Sequence, residues 1–205
     1  MFGSPVPVVA DMAVFHSVWT YAIKALDSHK KARWTCDGSP CLGQARIVDE
    51  TYANCVDQTS SRLFYAIAAA ENLIIVGADV SNAFAEAPPH KQGFYIHPDR
   101  AFRDWWVQHK RRPPIPDRHD VPILSAMQGH PESPRLWEKH ADAILWDCGL
   151  VPTVHELCLY SGVINGHRVI FKWQVDDFAV AAPDETTANI LLDMLDDRLT
   201  IPLKR

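Results

Sequence analysis

Apolar and polar positions change period along this chain, and the changes mark out its elements. Residues 14–26 form a mixed apolar stretch, closed by a polar break at 27–29. Residues 35–44, with Gly38, Pro40 and Gly43, read as a loop between two short strands. From Thr59 or Ser60, either of which can cap a helix, Leu63, Ile67 and Ala70 recur at helical spacing as far as Asn72. Residues 73–78 are a short, nearly continuous apolar run rich in β-branched types, which predicts a buried strand ending at Asp79. A second helix is predicted over 134–148, with Trp137, Ala141, Ile144, Leu145 and Cys148 on one face and Gly149 as its stop.

Beyond that helix, residues 157–164 and 167–175 read as strands joined by Asn165-Gly166, the strongest short-range hairpin signal. A strand over 178–182 follows, then a helix over 186–199 that buries Ala188, Leu191, Leu192 and Leu195. Residues 1–11, with Pro5 and Pro7, read as a loose lead-in. Because helices and strands mostly do not alternate as βαβ units, the expected class is α+β, an antiparallel sheet with helices on one face.

Composition narrows the setting more than the function. A chain of 205 residues fits one domain, or one domain with a subdomain. No apolar run approaches the roughly 18 residues of a membrane span, and the first residues lack a secretory pattern, so no membrane partner is expected. Five scattered cysteines, an odd number, predict a reducing intracellular location, in cytoplasm or nucleus. The spacing Cys36-x4-Cys41 has no second ligand pair and reads as loop cysteines. The histidines, His90 and His130 among them, form no helical i, i+4 pair and receive no role. A net charge of −5 argues weakly against nucleic acid, since local patches decide binding. Basic residues gather at Lys24, Lys30, Lys31 and Arg33, and at Lys110, Arg111, Arg112 and Arg118; solvated loops are the plain alternative. There is no Walker loop, nucleophile elbow or dinucleotide fingerprint.

Asp176-Asp177 falls between two strand-like runs, at the bend of a hairpin where Asn-Gly would be the neutral choice. Adjacent like charges repel, and a bound cation removes that cost. A second pair, Asp196-Asp197, reads as the solvated face of the last helix. Asp79, at the end of another strand, would complete a three-carboxylate set; its alternative role is to cap the following turn. Oxygen ligands without His or Cys suit Mg²⁺ or Mn²⁺, and two such ions about 3.5–4 Å apart are the usual apparatus for displacement at phosphorus.

These residues, in order and spacing, resemble the reverse transcriptase domain of Ty1/copia-type retrotransposons. Asp79-Val80-Ser81-Asn82-Ala83-Phe84 matches that family's Asp-Val-x-x-Ala-Phe segment. Residues 127–137 (Met-Gln-Gly-His-Pro-Glu-Ser-Pro-Arg-Leu-Trp) match Leu-x-Gly-x-x-x-Ser-Pro-Arg-x-Trp, with Met127 for Leu. Gln174-Val175-Asp176-Asp177 stands where the family has Tyr-Val-Asp-Asp, and Lys31-Ala32-Arg33 matches an upstream Lys-Ala-Arg. A helix and a short basic strand after the third motif match in kind, and the resemblance runs over about 14–205.

The resemblance implies a right-hand polymerase palm, with fingers from the N-terminal part and from about 88–122. It implies an RNA-directed DNA polymerase in which Asp79, Asp176, Asp177 and the carbonyl of Val80 hold two Mg²⁺ or Mn²⁺ ions. Lys31 and Arg33 are then cations for the dNTP triphosphate, Phe84 lies under the sugar, Ala83 is nucleotide-binding beside it, Gln128 and Gly129 line the nucleotide pocket, and Gln174 meets the primer. Each has a plainer alternative: a solvated strand edge for Lys31 and Arg33, core packing for Phe84, a loop before a helix for Gln128-Gly129. The expected partners are an RNA or DNA template with primer, dNTPs, and the rest of a retrotransposon polyprotein. The thumb, RNase H and integrase segments of that polyprotein, involved in synthesis and DNA integration, do not occur within these 205 residues. Two rival expectations remain: a two-metal nuclease, and a catalytically silent retroelement remnant that keeps the fold.

Overall fold

The structure, a computed structural model, describes residues 1–23, 30–39 and 51–205. In chain order its strands are β1 (Val6–Pro7), β2 (Val14–Phe15), β3 (Ser17–Ile23), β4 (Lys30–Cys36), β5 (Ile74–Asp79), β6 (Phe94–Ile96), β7 (His119–Ile123), β8 (Val151–Pro152), β9 (Leu159–Ile164), β10 (His167–Gln174) and β11 (Asp177–Ala182). The helices are α1 (Gln58–Ala70), α2 (Arg100–Gln108), α3 (Ser133–Asp147) and α4 (Glu185–Asp196). A 3-10 turn spans Ala83–Glu86. The class is mixed α and β with open sheets, compatible with α+β. The chain divides into two compact units, Met1–Thr51 with Ala87–Ser133, and Tyr52–Glu86 with Pro134–Arg205.

In the first unit a four-stranded sheet has the order β1-β7-β6-β2, and β3 pairs with β4 as a separate antiparallel ribbon. The lead-in is not loose. β1 pairs with β7, Phe2 bridges to Ile123, and the Phe2 ring packs edge-on against Phe102 at 5.3 Å. An aromatic anchor and two prolines that favour extended backbone give this segment a docking site that its local composition does not advertise. α2 starts at the N-cap Asp99, whose carboxylate accepts the N–H of Phe102 at 2.7 Å and also takes Ser17 Oγ and Trp19 Nε1 from β3. Phe102 and Trp106, one helical turn apart, are its buried residues, and Trp34 of β4 stacks on Phe102 at 4.3 Å. Lys110 and Arg112 lie over the Trp105 and Trp106 rings, so these two basic residues are braced by aromatics rather than loose. Thr35 and Cys36 belong to β4 and not to a loop; the rest of that expected loop from residue 40, with Cys41, lies outside the described residues, as does Lys24.

In the second unit the sheet has the order β5-β11-β10-β9-β8, all antiparallel. Asn165 and Gly166 have φ of 52° and 78°, the left-handed pair that a tight two-residue hairpin needs. α3 and α4 bury the residues their spacing predicts, and Gly149 at φ 83° follows α3. Three expectations change here. The cap of α1 is Asp57, which accepts from Thr59 and Ser60 N–H groups, and the buried stripe is Phe64 and Ala68. β5 is the sheet's edge strand, leaving Ile74 and Ile75 about two-fifths exposed rather than buried. Helices also cover both faces of the sheet. Trp173 meets Trp137 of α3, whereas its neighbour Lys172, pointing the other way, reaches Ser61 Oγ and Tyr65 OH of α1 at 3.2 and 3.1 Å. β10 is apolar on both sides, so it needs cover on both: Val169, Ile170, Phe171 and Trp173 are all buried. Full burial of one such large side chain stabilises by roughly 1.5–3 kcal/mol.

Candidate functional site

The carboxylates are gathered by strand register. β11 pairs with β5 so that Asp177 lies opposite Asp79, and the Val80 N–H donates to the Asp176 carbonyl at 2.8 Å. On its other side Asp79 exchanges two backbone hydrogen bonds with Lys204, at 2.7 and 3.0 Å. The end of the edge strand is therefore paired on both sides at the residue that carries the carboxylate. Asp79 and Asp176 are half-buried and Asp177 is exposed. Gln174 is exposed and pairs across the hairpin with Asp177.

The hairpin that presents Asp176 and Asp177 is strained. Its first central residue, Val175, has φ of 56°, a left-handed conformation that a β-branched residue adopts at a cost of about 1–3 kcal/mol. Two indoles hold it there: Trp137 Nε1 and Trp173 Nε1 donate to the Val175 carbonyl at 2.7 and 2.6 Å. Both indoles are nearly fully buried, so their N–H groups need an acceptor, and this one carbonyl serves both. The sequence singled out Trp137 as a motif residue and as part of the apolar face of its helix, and Trp173 not at all.

After Asp79 the chain turns through Asn82, at φ 56°, into the 3-10 turn that carries Ala83, buried, and Phe84, half-buried. Glu86 closes that turn against the C-terminal segment, accepting from Thr200 N, Thr200 Oγ and Ile201 N at 2.7–2.9 Å. Asp196, expected to be a solvated side chain, accepts from Leu203 N at 2.6 Å and fastens the same segment. Like the triad and Gln174, these groups belong to the second unit.

The remaining expected residues belong to the first unit. Lys31 and Arg33 are exposed on one face of β4. Gln128 is half-buried, and its carbonyl accepts Cys36 N–H at 3.0 Å just past them. Gly129, at φ 94°, has its own reason to be glycine: a Cβ there would lie 1.9 Å from the Cys36 carbonyl oxygen. A Cβ on Gly38 would lie 2.2 Å from the Gly129 carbonyl, so loop and strand end meet backbone to backbone. Ser133 fixes the loop from the far side, its hydroxyl donating to the Met127 carbonyl at 2.6 Å and accepting the Met127 N–H at 3.1 Å. Burial pushes the Cys36 thiol up to about 12, as suits a core residue and not a metal thiolate.

The donor chemistry of the triad fits hard divalent cations: three carboxylates near the surface, with no nitrogen or sulfur among them. Among the described residues, however, the one group of three His, Cys, Asp or Glu whose ligand atoms lie within 4.8 Å of one another is elsewhere, at His90, His130 and Glu132 in the first unit. Burial holds the His130 imidazole down at about 4 and His90 below its ordinary value, against the opposing pull of Glu132. Sequence spacing hides this group, because His90 is far along the chain from the other two.

No protein-family profile matches the chain, and no curated protein matches it at a significant level. Among the described residues, no helix is long and apolar enough to cross a membrane.

Proposed function

We propose that this chain is the fingers and palm of an RNA-directed DNA polymerase of the Ty1/copia retrotransposon type, adding dNTPs to a primer 3′-hydroxyl. The observation that carries the reading is the strained turn at Val175. Strain of this kind persists only where surrounding structure enforces it, and it concentrates at working sites. Here two indole donors enforce it, and its result is that Asp176 and Asp177 stand beside Asp79. The split into discontinuous units near residues 51, 87 and 133 also suits a fingers–palm division.

In this reading Asp79, Asp176, Asp177 and the Val80 carbonyl hold two Mg²⁺ or Mn²⁺ ions. Bound there, the ions supply Lewis acidity that activates the primer hydroxyl and neutralises the triphosphate. Lys31 and Arg33 bind triphosphate oxygens, Arg33 as a planar fork. Phe84 occupies the space a ribose 2′-hydroxyl would need, with Ala83 beside it in the chain. Gln128 offers an amide to the sugar, and Gln174 a hydrogen bond to the primer terminus. A nuclease would need the triad but not the nucleotide-binding set, which favours the polymerase.

The test is primer extension on an RNA template with purified chain and Mg²⁺ or Mn²⁺. Expected is extension by wild type that disappears in Asp79→Asn and in Asp177→Asn. Absence of extension by wild type, or extension that survives both substitutions, overturns the proposal.

A further inference from the structure

The first unit contains a second constellation that the polymerase reading does not use. His90 and His130 are 6% and 7% exposed, and their rings lie 3.7 Å apart between centroids. The Glu132 carboxylate approaches His90 Nδ1 at 2.8 Å. Phe15 and Phe94 wall the pair in, with ring centroids 4.8–5.1 Å from one imidazole or the other. Buried imidazoles normally satisfy themselves singly, against a backbone or carboxylate acceptor. Here two lie in ring contact inside an aromatic wall, His90 Nδ1 against the Glu132 carboxylate and His130 Nδ1 accepting the Glu132 N–H at 3.3 Å.

Charge makes the arrangement informative. An apolar wall disfavours imidazolium, so both rings are neutral, the form in which His ligates metals. A divalent cation between the three side chains would be met by imidazole nitrogens and a carboxylate oxygen together.

We propose that His90, His130 and Glu132 bind one zinc-class divalent ion, which fastens the segment after Ala87 to the loop carrying Gln128 and Gly129. Two imidazole nitrogens and one carboxylate suit Zn²⁺ and its borderline neighbours, not Mg²⁺. Ligand bonds of about 2.0–2.2 Å place tetrahedral ligand atoms roughly 3.3–3.5 Å apart. The His90–Glu132 pair is already closer than that, and all three ligand atoms lie within 4.8 Å, so small side-chain rotations suffice. The supporting shell is present as well. Ser133 Oγ lies 3.5 Å from His90 Nε2, on the side of the ring away from Glu132, and its own proton is given to the Met127 carbonyl. It can therefore accept from Nε2–H and so leave Nδ1 to the ion, the usual division of a ligating imidazole. The same hydroxyl pins both ends of the 127–133 loop, so the ion and that loop share a fastening. The site is independent of the carboxylate triad and stands or falls without it.

The experiment is a Co²⁺ titration of the full chain after chelation, followed by Zn²⁺ displacement. Expected are visible d–d bands saturating at one equivalent, displaced by Zn²⁺, with affinity lowered tenfold or more in His130→Gln and in Glu132→Gln. Glu132 is the partly exposed member, so Glu132→Gln keeps shape and packing if a histidine variant fails to fold; circular dichroism checks both. Asp79→Asn should leave the Co²⁺ spectrum unchanged. No uptake by wild type, equal affinity in a folded Glu132→Gln, or a thiolate charge-transfer band overturns the proposal.

Discussion

Two hairpins in the same sheet end in turns of the same length and opposite character. The β9–β10 turn places Asn165 and Gly166 at φ of 52° and 78°, residues that accept such angles at little cost. The β10–β11 turn places Val175 at φ 56°, which Val resists, and follows it with Asp176 and Asp177. The first turn needs no help from its surroundings. The second is held by two indoles from different elements, Trp137 on α3 and Trp173 on β10. A turn that only reverses the chain can be built as the first one is; on the proposed polymerase reading, the second is shaped by the carboxylates it carries.

On the proposed polymerase reading, the largest effect that separates the turns is catalytic. Asp177→Asn should lower metal-dependent primer extension by at least about 10³-fold, equivalent to about 4 kcal/mol of barrier, with little change in melting temperature because the side chain is exposed. Asn165→Asp, a charge change of similar size at the other tip, should leave extension unaltered. Equal losses in the two variants would erase the distinction.

Next comes the cost of removing each turn's support. Trp137→Phe keeps most of the buried ring and deletes one donor to Val175, and should destabilise by about 1–3 kcal/mol in urea denaturation. Gly166→Val forces a β-branched residue to φ 78° and should cost about 1–2 kcal/mol without touching extension. Trp137→Phe should impair both stability and extension, since the turn it releases carries the carboxylates.

What the sequence made legible follows from range. α3, α4 and the Asn165-Gly166 hairpin could be read because their signals are local: a stripe at helical spacing, or one dipeptide. β1, β6 and β7 went unread because each is only 2–5 residues long and defined by distant pairing partners. α2 also went unread, although Asp99 with Phe102 and Trp106 was the available cap-and-stripe signal. At the candidate site, Asp79, Asp176 and Asp177 could be picked out as motif residues, and strand register sets Asp177 opposite Asp79. The indole clamp could not be, because its acceptor is a backbone carbonyl that no residue type announces. Gly129 was expected in a nucleotide pocket, and the Cys36 backbone gives it a separate reason to be glycine that the sequence does not announce.

A smaller effect tests the strain itself. Val175→Gly relieves about 1–2 kcal/mol of left-handed strain, and the unfolded chain's extra freedom takes back about 0.5–1 kcal/mol. The net should be a stabilisation of at most about 1.5 kcal/mol, together with slower extension as the turn loses definition. A loss of stability would mean that Val175 contributes more through its side chain than its backbone costs.

The smallest effect concerns charge at the tip. Asp79, Asp176 and Asp177 bring three carboxylates to one corner of the sheet, with Asp177 directly across from Asp79. Unit charges about 4 Å apart in water repel by about 1 kcal/mol, and half-exposed side chains can swing apart to reduce it. Asp176→Asn removes one charge and keeps the shape, so the metal-free protein should gain about 0.5 kcal/mol at low salt. That gain should fade near 1 M salt, where the screening length is about 3 Å. With Mn²⁺ the sign should reverse: wild type is stabilised by mass action and the variant much less, because it has lost a ligand. Denaturation of both proteins at two salt concentrations, with and without Mn²⁺, separates the contributions. A variant that is less stable without metal, or that gains as much from Mn²⁺ as wild type does, would remove Asp176 from the metal-binding set and leave the strain at Val175 without its explanation.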